Sequence, residues 1–150
     1  MKKYYYKSPI GILEIICSDE ALISLKLVQN KEKSDKETAL ADKIRTQLDE
    51  YFAGKRKTFD IELSPVGTDF QKKVWAELFK IPYGKTKSYS QIAQNIGNKN
   101  AQRAIGSACN KNPIMIIIPC HRVISKNGGL GGFAYGNPVK QALLNLETLF

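Results

Sequence analysis

Residues Ser88 to Lys111 read SYSQIAQNIGNKNAQRAIGSACNK, and this stretch sets the architecture of the second half of the chain. Ser88 to Ile96 has the spacing of a short helix, with Ile92, Ala93 and Ile96 inward. Gly97-Asn98-Lys99-Asn100 is turn-forming, and Ala101 to Lys111 is a second helix. Helix, short glycine-containing turn and helix together give the outline of a helix-turn-helix. Ala101, Ala104, Gly106, Ser107 and Ala108 leave the second helix small-sided. Small side chains let a large ligand such as DNA come close, and they equally permit tight packing of one helix on another.

Downstream, the apolar run Ile114 to Ile118 leads into Pro119-Cys120-His121-Arg122-Val123, which holds the only histidine of the protein. A thiol beside an imidazole is a candidate nucleophile, because the imidazole can draw the thiol toward the reactive thiolate. The plain alternative is a structural cysteine next to an exposed histidine. Lys126 to Phe133 places four glycines within five residues, a loop able to wrap a ligand with backbone groups or simply a flexible one. Asn137 is the expected N-cap of the last helix, with Pro138 at its first position. Val139, Ala142, Leu143, Leu146 and Phe150 form its apolar stripe. Glu147 lies one turn after Leu143 at the edge of that stripe, so its carboxylate is expected to be partly buried and to need a partner.

Upstream, Thr68-Asp69-Phe70-Gln71 fits a capping box, and Phe70, Val74, Trp75, Leu78 and Phe79 give the following helix an apolar face. Ile81-Pro82-Tyr83-Gly84 ends it. The first half reads as an antiparallel meander, Tyr4 to Tyr6, Ile10 to Cys17 and Leu22 to Val28, then a polar loop. Ala39 to Phe52 follows as a helix, with Leu40, Ile44, Leu48 and Tyr51 in helical register and Gly54 as its stop. Phe59 to Leu63 alternates like a strand or an extended linker. The whole is an α+β chain, with an α/β unit over residues 1–63 and a mainly helical one over 64–150.

Charge separates the halves. Residues 1–63 carry twelve Lys and Arg against eleven Asp and Glu; residues 64–150 carry eleven against only Asp69, Glu77 and Glu147. The second half is depleted of acid, which points to a polyanion-binding surface, nucleic acid above all. Solubility alone accounts for a high net charge but not for its confinement. Three cysteines, Cys17, Cys109 and Cys120, without a C-x-x-C pair, argue against a disulfide framework and a cysteine-rich metal site. No apolar run is long enough to span a bilayer, and no signal-peptide core opens the chain. A cytoplasmic location is expected, or a nuclear one in a cell with a nucleus, with no membrane partner.

Thr68-Asp69-Phe70-Gln71, Val74-Trp75, Ile81-Pro82-Tyr83-Gly84, Ser88-Tyr89, Arg103-Ala104-Ile105-Gly106, Asn112-Pro113 and Ile118 to Val123 occur in the order and spacing of the O6-alkylguanine-DNA alkyltransferases. Residues 68 to about 147 resemble that family strongly; the first half does so in length and pattern. The resemblance implies a ribonuclease-H-like N-terminal domain and a C-terminal domain with a winged helix-turn-helix core. It implies a monomer that repairs O6-methylguanine, and to some extent O4-methylthymine, in duplex DNA. The alkyl group moves once and irreversibly to a cysteine, with no cofactor; some members carry a structural zinc in the N-terminal domain, and the single histidine here argues against one.

By the same resemblance Cys120 would accept the alkyl group. His121 would be the base acting through a water, and Glu147 would orient the imidazole. Asn112 would order the backbone near the thiol. Tyr89 would help rotate the nucleotide out and bond the flipped guanine, and Arg103 would fill the gap in the stack. Val123, Phe133 and Ala134 would line the guanine pocket. Gln71, Ser90, Asn98, Ala101, Lys111 and Lys126 would meet DNA. Phe133 stands where the family usually has Tyr, so a hydroxyl near the pocket is lost and the apolar wall kept; Tyr135 stands where Gly is common, so a narrower pocket mouth is expected. A lesion sensor of the related alkyltransferase-like type usually has Trp at the acceptor position, so Cys120 argues against it. A regulator using the helix-turn-helix alone gives Cys120, His121, Asn112 and Glu147 no role.

Overall fold

Three antiparallel strands in order β1-β2-β3 open the chain in the computed structural model, which describes all of residues 1–150. They are β1 (Lys2–Ser8), β2 (Gly11–Cys17) and β3 (Leu22–Val28). Tyr4, Leu13, Ile15, Leu22 and Leu25 point inward and are fully buried. α1 (Ala39–Phe52) covers that face with Ala41, Ile44, Leu48 and Tyr51, and Thr38 caps it by accepting from the Ala41 amide. Leu40, expected in the stripe, is half-buried, and Ala41 takes the core position. Gln47 holds the following linker, exchanging two hydrogen bonds with the backbone of Asp60. Phe59 to Leu63 is the extended linker rather than a full strand, with a single bridge between Leu63 and Leu22.

The second half is a three-helix core of α2 (Asp69–Phe79), α3 (Tyr89–Asn95) and α4 (Gln102–Asn110). Complete capping boxes start α2 (Thr68 with Gln71) and α3 (Ser88 with Gln91). Both satisfy two otherwise orphaned backbone donors. Trp75 Nε1 donates to the Ala108 carbonyl at 2.9 Å and fixes α2 against α4. Two short strands, β4 (Lys87–Ser88) and β5 (Val123–Ile124), pair in parallel, and α5 (Asn137–Leu149) closes the chain.

Three expectations are corrected. The cap position of α5 is Gly136, at φ 91°, with Asn137 already helical and making no side-chain cap. A positive φ suits glycine, which sets the start one residue early. Phe79 is 51% exposed, beyond the packed stripe of Val74, Trp75 and Leu78, beside a cavity of about 300 Å³ between the halves. On α5, Ala142 is exposed, and Lys140 is buried instead.

The halves share one core, a cluster of 28 buried residues drawn from both. Leu25 on the free edge of β3 accepts from the Met115 amide at 2.9 Å and donates to the Pro113 carbonyl at 2.8 Å. The apolar run before Cys120 is thus anchored on the N-terminal sheet.

Gly67 sits under the only tryptophan: a Cβ there would fall 2.4 Å from Trp75 Cη2. Gly67→Ala is expected to cost about 1–3 kcal/mol, because a packed ring must move. Urea unfolding followed by Trp75 fluorescence measures it.

Candidate active site and DNA face

Cys120 begins a single turn of 3₁₀ helix, Cys120–Arg122, and is 5% exposed. Two tight turns bring it there. The Ile117 amide bonds to the Met115 carbonyl at 2.8 Å around Ile116, whose φ of 72° is rare for a β-branched residue. The Cys120 amide bonds to the Ile118 carbonyl at 2.8 Å around Pro119. Asn112 braces both ends of the run: its Nδ2 donates to the Ile118 carbonyl at 2.7 Å, and its Oδ1 accepts from the Ile114 amide at 3.0 Å.

Glu147 is 4% exposed and gathers five donors. Its Oε2 lies 2.6 Å from His121 Nε2 and accepts from the Tyr51 hydroxyl at 2.6 Å and Arg122 Nη2 at 3.0 Å. Its Oε1 accepts from Arg122 Nε at 2.8 Å and the Gly84 amide at 3.3 Å. Arg122 spends its last nitrogen on the Ile81 carbonyl at 2.7 Å. Burial pushes the Glu147 carboxyl up, but the bonds from His121 and Arg122 outweigh it and hold the group well below the usual carboxylate range. Glu147 is therefore ionised, and His121 donates to it through Nε2. Nδ1 is left as the lone-pair nitrogen, and it has no protein partner.

Burial also lowers the His121 pKa, against the pull of Glu147 and with help from the Arg122 and Lys140 charges. Burial raises the Cys120 thiol, opposed by the Asn112 bond, the Lys140 charge and backbone donors. Both shifts favour the uncharged forms, so the resting pair is thiol and neutral imidazole.

Lys140 is fully buried, its Nζ donating to the Val123 carbonyl at 2.5 Å, the Leu130 carbonyl and the Gly132 carbonyl at 3.5 Å. It ties the glycine loop to the segment after the thiol. Tyr89 is half-buried against that loop, its hydroxyl 3.4 Å from the Gly132 carbonyl; burial and the nearby thiols raise it to about 12. Gly131, at φ 70°, is needed there, since a Cβ would fall 3.0 Å from the Tyr89 ring. Phe133 and Tyr135 pack edge to face at 5.8 Å, while Val123 is buried and Ala134 exposed. Tyr135 is raised to about 12 by burial and by the Cys120 thiol.

On α4, Gln102, Arg103, Ala104, Ser107 and Asn110 face outward, while Ile105, Ala108 and Cys109 face the core. A Cβ on Gly106 would meet nothing within 4 Å. Internal packing therefore does not demand a small residue there, and the small outer face is open to an external ligand. Arg103, Tyr89, Gln102, Gly106, Asn110 and Gly132 line a cleft of about 330 Å³ between α4 and the glycine loop. Lys111, Asn98 and Lys126 are exposed, and Gln71 and Ser90 half-buried. Ala101 is a correction: it is 6% exposed with its methyl in the core, because it fills the joint between α3 and α4.

The family description "6-O-methylguanine DNA methyltransferase, DNA binding domain" matches residues 69–149, and the ribonuclease-like domain of the same family matches residues 1–65. A methylated-DNA–protein-cysteine methyltransferase of Methanosarcina acetivorans is 45% identical over 152 residues, 96% of this chain and 97% of its own length. The chain belongs to this family. The constitutive enzyme of Bacillus subtilis is 46% identical over 92% of this chain and 84% of its own. The Mycobacterium tuberculosis OGT crystallised in complex with DNA superposes with a TM-score of 0.92 at 41% identity, covering 99% of this chain and 94% of that one.

Three side chains of this methyltransferase escaped the sequence reading. Lys140 was findable, since it lies three residues before Leu143 and seven before Glu147, on one helical face. Arg122 was findable in part, as the nearest cation to a lone buried acid. Tyr51 had no local signal, being 96 residues from its partner.

An imidazole held below its ordinary value makes the fold acid-sensitive. The unfolded chain takes up a proton at its one histidine below about pH 6.5, whereas the folded chain does so only at lower pH. Stability from His121 is thus complete above that value and lost as pH falls; the depressed Glu147 adds a further loss below about pH 4. The urea midpoint is expected to drop between about pH 7.5 and 5. An unchanged midpoint would mean that His121 titrates alike in both states.

Proposed function

We infer that this chain repairs O6-methylguanine in double-stranded DNA by moving the methyl group to Cys120, irreversibly and once per molecule. The observation that carries the reading is the 2.6 Å pairing of His121 Nε2 with Glu147, which leaves Nδ1, on the residue next to Cys120 in the chain, without a protein partner and free to accept a proton. The lesion oxygen lies inside the duplex, so the nucleotide must leave the stack to react. Arg103, exposed on the outer face of α4, is suited to fill the gap. Tyr89, at the loop edge of the same cleft, is suited to turn the nucleotide out and to hydrogen-bond the base.

His121 takes the thiol proton, relayed by a water. The thiolate attacks the methyl carbon: the S–C bond forms as the C–O6 bond breaks, and the electron pair leaves with the guanine. The guanine regains a proton as it leaves, with the Tyr89 hydroxyl as a nearby donor. The product thioether has no proton to lose and no leaving group better than guanine, so the step does not reverse. The lesion supplies the methyl group, so the reaction calls for no separate donor. Tyr135 narrows the pocket mouth against large O6 substituents, while Phe133 keeps the apolar wall; O4-methylthymine is a secondary substrate.

Affinity comes from phosphates and shape more than from base edges, as scattered damage requires. Gln71 is suited to a phosphate through its amide nitrogen, because its oxygen is taken by the Thr68 amide. Ser90, Asn98, Lys111 and Lys126 extend that surface, and the protein acts as a monomer.

Intact mass after mixing with a duplex bearing one O6-methylguanine is expected to rise by a single methyl, mapped to Cys120. Cys120→Ala is expected to keep lesion binding and lose transfer entirely; transfer surviving that change would remove Cys120 as the acceptor. Binding without any mass change in the native protein would favour the sensor reading. Arg103→Ala is expected to slow repair in duplex DNA by at least about tenfold, roughly 1.4 kcal/mol, with little effect on free O6-methylguanine. Equal losses on the two substrates would contradict its place in the stack.

A further inference from the structure

One side chain of the N-terminal half reaches the reaction's own carboxylate. Tyr51, on the last turn of α1, has no exposed surface, and its hydroxyl donates to Glu147 Oε2 at 2.6 Å. Its ring is held by Phe52 at 5.2 Å, Phe59 at 5.6 Å and Tyr83 at 6.2 Å. A buried phenol needs an acceptor, and aromatic neighbours on three sides fix where this one points. The acceptor is the oxygen that also receives the His121 proton. An ionised carboxylate offers about two lone-pair directions per oxygen, and Oε2 faces three donors: Tyr51, His121 and Arg122. Each donor stabilises the carboxylate charge and weakens what remains for the others.

The groups facing this carboxylate and imidazole come from every neighbouring element. α1 gives Tyr51; the corner after α2 gives Tyr83 and the Gly84 amide; the 3₁₀ turn gives Cys120 and Arg122; α5 gives Lys140. Lys57 lies 5.5 Å from the centre of the Tyr83 ring. Glu147 is the one anion among them. Its only competing neutral donor besides a backbone amide is the Tyr51 hydroxyl.

We propose that Tyr51 is a positioning residue of alkyl transfer: its hydroxyl fixes the Glu147 carboxylate and, by sharing Oε2, limits how strongly that oxygen holds the imidazole proton. The proposal rests on the relay described above and deepens it. His121 must be neutral for Nδ1 to act as base. An unshared Oε2 would stabilise the imidazolium, raise the His121 pKa and withdraw the base at the acid end of the working range. The N-terminal half is then part of the reaction's machinery through one hydroxyl.

The test uses the full chain with Tyr51→Phe, which keeps the ring packing and removes the hydroxyl. His121 is the only histidine, so labelling histidine with heavy nitrogen gives a single imidazole to titrate by NMR. Loss of the bond is expected to move its titration upward by about half a pH unit or more. The acid limb of the single-turnover rate on an O6-methylguanine duplex should move with it. Fluorotyrosine placed at position 51 is a stronger donor and should move both downward, which decides the matter should Tyr51→Phe fold poorly. An imidazole titration and acid limb that stay put in these proteins, with any rate loss uniform across pH, would reduce Tyr51 to packing and overturn the proposal. The imidazole titration requires no DNA, so its result is separate from whether methyl transfer occurs.

Discussion

The buried carboxylate of Glu147 is the constraint on which the rest of the site depends. A charge taken out of water persists only where donors replace the lost solvent, and removing one member of such a pair costs about 3–5 kcal/mol. The five donors on Glu147 come from the last turn of α1, the corner after α2 and the turn that carries Cys120. Satisfying one carboxylate therefore fixes the relative positions of the N-terminal half, the three-helix core and α5. The same satisfaction selects the imidazole tautomer, because an ionised acceptor at Nε2 leaves the lone pair on Nδ1. Stability and reactivity have a common origin here.

Around that centre the electrostatics keep the nucleophile quiet until it is needed. Burial disfavours both the thiolate and the imidazolium, so the pair rests uncharged. Lys140 works the other way on sulfur: its buried ammonium favours the thiolate while its hydrogen bonds hold the Leu130 and Gly132 carbonyls of the glycine loop. One lysine thereby shapes the pocket and biases the charge in it. A protein that reacts once needs no second turnover, so a nearly closed site carries no turnover penalty.

The DNA face obeys a different logic. Ala104, Gly106 and Ser107 of α4 lie toward solvent, and Gly106 has no neighbour that a side chain would strike. Small size there serves an outside surface. The acid-poor composition of residues 64–150 supplies attraction along the backbone without reading bases, which suits a lesion that can occur in any sequence.

Local chemistry was legible in the sequence. Thr68 with Gln71 marked a helix start, β-branched and aromatic runs marked the three strands, and the spacing of Ile44, Leu48 and Tyr51 marked α1. These signals are carried by residues within a turn or two of each other, where backbone geometry alone sets which groups meet. Cys120 and His121 were legible as an adjacent thiol and imidazole, Asn112 only through the family resemblance, and Glu147 because an acid at the edge of an apolar stripe needs a partner. Which partners it has, only the tertiary structure decided. Tyr51, Arg122 and the Gly84 amide converge on it from distant points of the chain, and no periodicity encodes convergence. The burial of Ala101 and Lys140 and the exposure of Phe79 and Ala142 likewise depend on which elements pack beside them. Sequence fixes what a residue can do within its own element; the long-range packing of elements fixes what it faces, and for a buried charge the facing groups set its chemistry.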